Sequence, residues 1–317
     1  MSTYLVTGGA GFIGSHLAEE LATRGHTVRI ADSLITGKRS NIEHLAGVDF
    51  RHGDLADLDF ARDVVTGCEY VLHEAAIPSV ARSVVDPVTS HRANVDATLN
   101  VLVAAREAGV TRVVFAGSSS VYGDTAVLPK RETMTVNPLS PYALQKAIGE
   151  QYLHLFSSLY GLSTVTTRYF NVFGPRQDPS SAYSGVISQF ATALLQNRPP
   201  TIYGDGEQTR DFTYIANVVD GVLRACSVPA ADGQTFNVAT NVRVSLNELF
   251  RKMKALVGAS VDVIYAAPRL GDVRHSQADI SKAKEVLEYE PRVSLDEGLS
   301  RTIEWYRAST PAEVTDL

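Results

Sequence analysis

Thr3-Tyr4-Leu5-Val6-Thr7-Gly8-Gly9-Ala10-Gly11-Phe12-Ile13-Gly14 decides how this chain is read. A short β-rich run enters a G-x-x-G-x-x-G turn on Gly8, Gly11 and Gly14, and a helical pattern follows from Ser15 to Arg24. Glycine lets the backbone turn tightly and approach a pyrophosphate. The helix start offers that anion unpaired N–H groups and the positive end of its dipole. A glycine triplet alone is weak evidence, but an acid closes the next strand, Thr27-Val28-Arg29-Ile30-Ala31-Asp32. A carboxylate there accepts hydrogen bonds from ribose hydroxyls and repels a 2′-phosphate, so NAD is the expected cofactor. Lys38 and Arg39 leave NADP as the second choice.

Outward from this start, strand and helix alternate. Further strands are expected at Val48–His52, Tyr70–His73, Val113–Ala116 and Ser163–Arg168, with helices at Leu58–Thr66, Val95–Ala108 and Tyr142–Tyr160. Apolar strands separated by helices imply a parallel sheet covered on both faces. The fold expected is α/β, a Rossmann-type doubly wound parallel sheet with a smaller C-terminal α/β substrate lobe. Residues 1–171 form the nucleotide-binding domain, with later segments returning to it, and 172–317 form mainly the substrate lobe. In that lobe helices are expected at Gly185–Gln196, Ala216–Ala225, Leu246–Val257, Ser281–Leu287 and Leu295–Arg307, with short strands at Thr201–Tyr203 and Asp211–Tyr214. Ser309–Leu317 reads as a loose polar end.

The bulk properties exclude several classes. A chain of 317 residues is long enough for a substantial core. A formal charge of −6 gives no basic footprint, so no nucleic-acid partner is expected. Two cysteines, Cys68 and Cys226, point to a reduced, cytoplasmic protein. The chain starts directly on its first strand, so no secretion signal is expected, and no apolar run is long enough to span a membrane. Eight scattered histidines and no Cys-x-x-Cys imply no metal. His26, His44 and His52 read as structural, and Trp305 as packing for the last helix.

Two further segments carry chemistry. In Tyr142-Ala143-Leu144-Gln145-Lys146, tyrosine and lysine share a helix face at i,i+4. An ammonium beside the phenol favours the phenolate and lowers its pKa, which suits a general base. Such pairs are common on helix surfaces, and this one gains weight from the glycine motif upstream. Ser118-Ser119-Ser120-Val121-Tyr122-Gly123 follows an apolar strand, where ligands sit in open parallel sheets. Its hydroxyls either bridge the tyrosine to a substrate oxygen or satisfy their own turn.

Taken together, Thr-Gly-Gly-Ala-Gly-Phe-Ile-Gly, Asp32, Gly53-Asp54-Leu55, His73-Glu74-Ala75-Ala76, Asn94, Ser118, Tyr142, Lys146 and Tyr169-Phe170-Asn171 resemble an extended short-chain dehydrogenase/reductase over nearly the whole length. Within that superfamily the chain is most similar to the NAD-dependent nucleotide-sugar 4-epimerases. The resemblance implies catalysis by Ser118, Tyr142 and Lys146. It implies NAD binding by Gly8, Gly11, Phe12, Ile13, Gly14, Asp32, Ser33, Gly37, Asp54, Leu55, Ala75, Ala76, Asn94, Tyr142, Lys146 and Tyr169, with Asp54, Ala75 and Ala76 on the adenosine side and Asn94 and Lys146 on the nicotinamide side. Arg210-Asp211-Phe212 and Arg269-Leu270-Gly271-Asp272 look like the segments that hold the nucleotide diphosphate. The UDP-sugar is then held by Asn171, Tyr203, Arg210, Arg269 and Asp272, with Ser79, Ser118, Ser119, Ser120, Tyr142 and Ser276 at the sugar. Two guanidiniums suit a doubly charged diphosphate. In the family, the helices matching Val95–Ala108 and Tyr142–Tyr160 form a homodimer interface.

The same resemblance narrows the reaction. Sugar 4,6-dehydratases carry an Asp-Glu pair where Ser119 and Ser120 stand, and UDP-glucuronate decarboxylases usually carry Glu at the position of Ser120. What remains is reversible oxidation at C4, rotation of the 4-keto sugar and return of the hydride to its other face. Galactose-restricted epimerases have a bulky aromatic where the alignment of Gly271–Ser276 puts Ser276, so both plain and N-acetylated UDP-hexoses are expected to fit. Pro78 stands where many galactose-type epimerases have Lys, and Arg82, on the loop that follows, keeps UDP-glucuronate 4-epimerisation open. An NADP-dependent carbonyl reductase is disfavoured by Asp32 and the two arginines, and a non-catalytic NAD-bound regulator by the presence of Ser118, Tyr142 and Lys146.

Overall fold

The apolar runs of the first half become parallel strands buried on both faces. The structure, a computed structural model, describes residues 1–178, 185–268 and 273–309. Along the chain the elements are β1 (Thr3–Thr7), α1 (Phe12–Thr23), β2 (Thr27–Asp32), β3 (Asp49–His52), α2 (Leu58–Val65), β4 (Tyr70–His73), α3 (Val80–Val85), α4 (Pro87–His91), α5 (Ala97–Glu107), β5 (Arg112–Ser118), α6 (Pro141–Tyr160) and β6 (Thr164–Tyr169). There follow β7 (Val172–Phe173), α7 (Val186–Leu195), β8 (Thr201–Tyr203), β9 (Thr209–Asp211), β10 (Thr213–Tyr214), α8 (Ile215–Ser227), β11 (Thr235–Val238), β12 (Arg243–Ser245), α9 (Leu246–Val257), β13 (Ile264–Ala266), α10 (Ser281–Leu287) and α11 (Leu295–Ser309).

Seven strands make one parallel sheet in the order β3-β2-β1-β4-β5-β6-β11. The chain moves outward from β1 to β3, returns to β4 beside β1, and then moves outward the other way. This reversal opens a crevice at the carboxyl ends of β1 and β4, the general place for ligands in such sheets. One apolar core lies between the sheet and α1 and α8, built on residues such as Leu17, Leu21, Val218 and Val222. A second lies on the opposite face under α2, α5 and α6, with Val64, Val101, Leu102, Leu153 and Phe156. The sheet is therefore doubly wound.

Beyond β6 the chain builds smaller units: β7 with β10, β9 antiparallel to β12, and β8 with β13. Helices α7, α9 and α11 pack on one another beside them. Two later segments return to the large sheet. Helix α8 packs on α1, β5 and β6, and β11 pairs with β6.

Several boundaries differ from the sequence reading, each for a visible reason. Helix α1 starts at Phe12, not Ser15, because Gly11 is itself the extended N-cap. Strand β5 runs on to Ser118, its pairing with β6 continuing through Gly117. The helix expected from Val95 is a π-turn over Arg92–Asp96 followed by α5. Asp211–Tyr214 is broken at Phe212, since its two halves pair with different partners, β12 and β7. The loop expected around Arg82 is helix α3, whose N-cap Ser79 accepts from Arg82 N.

Candidate active site at the switch point of the parallel sheet

The glycine turn is held by geometry that side chains would break. Gly8 has φ +65°, and a Cβ there would lie 2.8 Å from Ala75 Cα. Gly11 N donates to Gly8 O at 2.9 Å. A Cβ on Gly14 would collide with Gly8 O and Gly9 Cα. The N-cap of α1 makes no side-chain bond and its first turn carries no acid, so its amides and dipole face an anion unopposed.

Asp32 is 7% exposed. Its Oδ2 accepts from Ala10 N at 3.0 Å and its Oδ1 from Leu34 N at 2.7 Å. Burial pushes its carboxyl upward, and these amides pull it back. Gly37 lies against the same carboxylate, where a Cβ would come within 2.8 Å. Asp32 thus ties the glycine loop to the end of β2. An uncapped helix start, a backbone approach that only glycine permits and a carboxylate at the next strand end fit NAD.

Other expected cofactor residues occupy the same rim. Phe12 and Ile13 are half-buried at the loop, and Ser33 follows Asp32, its carbonyl 3.3 Å from His52 Nε2. Asp54 accepts from Ala56 N, and Leu55 O accepts from Asn100 Nδ2. Ala75 N donates to Thr7 Oγ1 at 3.2 Å, with Ala76 next to it. Asn94, expected on the nicotinamide side, lies between the loop after β4 and α6. Its side-chain amide donates to Gln145 Oε1 at 2.8 Å and accepts from Ile77 N at 2.7 Å, fastening the loop after β4 to α6.

Tyr142 stands in the first turn of α6, with Ser140 as N-cap, and its amide donates to Ser83 Oγ at 3.0 Å. Lys146 lies one turn on, 4% exposed, and donates to Ala116 O at 2.8 Å. Ser118 hydrogen-bonds the Tyr142 hydroxyl and also pairs with Ser120 Oγ at 2.9 Å, so its turn both reaches the tyrosine and satisfies itself. Ser119 opens the short turn beyond it. One expectation is corrected here. Tyr142 is not lowered by Lys146 in this state: burial pushes the phenol up to about 12, opposed by Ser118 and reinforced by Glu74. The Lys146 ammonium is turned to the Ala116 carbonyl, and burial brings it down to about 8.

Glu74 was not among the expected site residues. Its Oε1 accepts from the Tyr169 hydroxyl at 2.7 Å, and burial pushes its carboxyl up to about 7. The sequence signal was an acid placed just after the apolar strand Tyr70–His73, the same situation as Asp32.

Several of the residues expected at the substrate gather around β9. Asn171, at φ +35°, donates from Nδ2 to Asp211 O at 3.0 Å. Arg210 Nη1 donates to Thr209 O, and Ser276 N to Thr209 O at 3.0 Å. His275 Nδ1 lies 2.9 Å from Thr209 Oγ1. Tyr203 closes β8, its carbonyl accepting from Gln208 Nε2. Ser79 uses its hydroxyl as the cap of α3. Arg269 and Asp272 lie outside the described residues.

Residues 4–239 match the family described as NAD dependent epimerase/dehydratase. The UDP-glucose 4-epimerase of Mycolicibacterium smegmatis is 42% identical over 313 residues, covering 96% of this chain and 98% of that one. The UDP-N-acetylglucosamine 4-epimerase of Methanobrevibacter ruminantium, solved with UDP-N-acetylmuramic acid, superposes with a TM-score of 0.93 at 37% identity, covering 98% of this chain and 99% of that one. The UDP-glucose 4-epimerase of Thermus thermophilus, solved with NAD, superposes with a TM-score of 0.90 at 36% identity, covering 97% and 100%.

Proposed function

The chain belongs to the NAD dependent epimerase/dehydratase family and is an NAD-dependent UDP-sugar 4-epimerase, and on that premise we propose which residues carry the reaction and which sugars it takes. The observation that carries the proposal is the placement of Tyr142, Ser118 and Lys146 on the strand-end crevice that also holds the Gly8–Gly14 turn and Asp32.

NAD supplies reversible acceptance of a hydride at C4 and, when oxidised, a positive charge in the pocket. Gly8, Gly11 and the first turn of α1 would hold its pyrophosphate, and Asp32 would hold its adenosine ribose. Tyr142 takes the proton of the 4-hydroxyl and later gives it back. Ser118, bonded to Tyr142, lies on the path between the phenol and the sugar oxygen. Lys146 holds a positive charge one helical turn away and keeps the sheet end closed through Ala116. Arg210 meets the diphosphate, and Ser276 leaves room at the sugar C2 for a hydroxyl or an acetamido group. The substrates are UDP-glucose/UDP-galactose and UDP-N-acetylglucosamine/UDP-N-acetylgalactosamine.

The working form is a homodimer. Leu144, Ile148, Tyr152, Leu155 and Leu159 recur on one outer side of α6, and Leu155 and Leu159 are 45% and 67% exposed, a stripe that a second copy would cover. The enzyme works in the cytoplasm, a reading supported by two buried free thiols, Cys68 and Cys226. Among the described residues no helix is long and apolar enough to cross a membrane.

Incubation with UDP-glucose, UDP-N-acetylglucosamine and UDP-glucuronate separately, with the C4 epimers resolved, tests the substrate reading. Turnover of the first two supports it. Turnover of UDP-glucuronate alone overturns it and moves attention to Arg82.

A further inference from the structure

Glu74 is an acid in the reaction centre for which the mechanism above has no task. It follows β4 where the strand order reverses, and its backbone packs on the glycine loop: a Cβ on Gly8 would lie 3.1 Å from the Glu74 carbonyl carbon. The bond from Tyr169 to Glu74 Oε1, 2.7 Å long, joins the end of β6 to the end of β4 across β5. His73 pairs with Phe115, so Glu74 stands level with Ala116, whose carbonyl holds the Lys146 ammonium at 2.8 Å. The carboxyl therefore sits among Tyr169, Tyr142 and Lys146, and its charge is felt by all three.

The other groups around it are already neutralised. His73 is bonded to Thr7 and Thr98 and is pushed down to about 3 by burial, so it stays uncharged. Glu150, the other acid facing Lys146, is engaged by Arg168 through two hydrogen bonds, at 3.0 and 2.6 Å.

We propose that Glu74 is a positioning residue for proton transfer at C4: held across the sheet by Tyr169, its carboxyl supplies the negative charge against which Tyr142 and Lys146 titrate together. The ionised carboxylate opposes the phenolate and favours the ammonium, so it raises the pH at which each group loses its proton. Its own titration near neutrality makes that influence switchable in the working range. The proposal rests on Tyr142 being the base.

The test compares the NAD-loaded wild type with Glu74→Gln, which keeps an acceptor for Tyr169 but removes the charge, and with Tyr169→Phe. Two quantities are followed against pH: kcat, and phenolate absorbance taken as the difference between each protein and its Tyr142→Phe counterpart. In Glu74→Gln the Tyr142 midpoint and both limbs of the kcat profile are expected to move to lower pH by about one unit, the size of a single nearby charge effect. In Tyr169→Phe, Glu74 loses the bond that favours its ionised form, so the step it contributes moves to higher pH. A kcat lowered equally at every pH, with both titrations superimposed on the wild type, overturns the proposal and leaves Glu74 a packing residue. The absorbance titration needs no turnover. Activity surviving in Tyr142→Phe would sink the base assignment, whereas unmoved titrations in an active enzyme would sink only the role of Glu74. If Glu74→Gln fails to fold, the Tyr169→Phe shift decides by itself.

Discussion

At the scale of single residues, the site is a set of groups whose ordinary behaviour is altered by burial. Tyr142 is pushed up to about 12 by burial, so the base role proposed for it would draw on the positive charge that oxidised NAD would bring. Tyr142→Phe should lower kcat by about 10²–10⁴, the usual share of a general base, while NAD remains bound; kcat and cofactor retention together check this. Asp32→Asn removes the charge proposed to face the ribose. Its NAD affinity should drop about tenfold, as for a lost hydrogen bond to a charged group, and its discrimination against NADP should relax. Dissociation constants for both dinucleotides read this out, and a wild type that prefers NADP contradicts the assignment. Ser276→Tyr should fill the space beside the sugar. Overpacking of about 1–3 kcal/mol predicts about a tenfold or greater fall in kcat/KM for UDP-N-acetylglucosamine, with UDP-glucose less affected. Equal losses on both sugars would show that Ser276 is not the gate.

At the scale of elements, α6 connects stability to chemistry. Its N-cap Ser140 accepts from Ala143 N, its first turn carries Tyr142 and its second Lys146, and Gly161 closes it in the left-handed conformation. One further turn down, Glu150 pairs with Arg168 of β6, both side chains 6% exposed. Glu150→Gln leaves a buried guanidinium without its anion and should cost about 3–5 kcal/mol in denaturant unfolding. The double replacement Glu150→Leu with Arg168→Met should recover most of that loss, because apolar groups of similar volume replace a buried pair at little cost. A single variant as stable as the wild type would show that the pair does not hold α6 to the sheet.

For the whole molecule, the exposed stripe on α6 is the face proposed to carry the homodimer contact. Leu155→Glu places a charge in the middle of it and should yield monomers by sedimentation or light scattering, each buried leucine being worth about 1.5–3 kcal/mol. An unchanged mass would assign the interface elsewhere. The arrangement also explains why the two halves of the chain are not separate in space: α8 and β11 complete the large sheet and its helical cover, while β9, between them and the first half in sequence, carries Arg210, the residue proposed to meet the diphosphate.

The order of β1, the glycine turn and α1, and the acid ending β2, were legible because local backbone requirements leave their mark in residue type: only glycine fits at Gly8 and Gly14, and Asp32 follows an apolar strand. The i,i+4 spacing of Tyr142 and Lys146 was equally local. Strands of two to four residues such as β7, β11 and β12 left no periodic signal, because pairing partners distant in sequence create them. The same distance hid the direction of the Tyr142 shift. Spacing predicted that Lys146 would lower it, but the fold buries both groups, turns the ammonium to Ala116 and brings Glu74 from β4 alongside. Neighbours along a helix are written in the sequence. Desolvation, and charges that meet across three strands, exist only after the chain has folded.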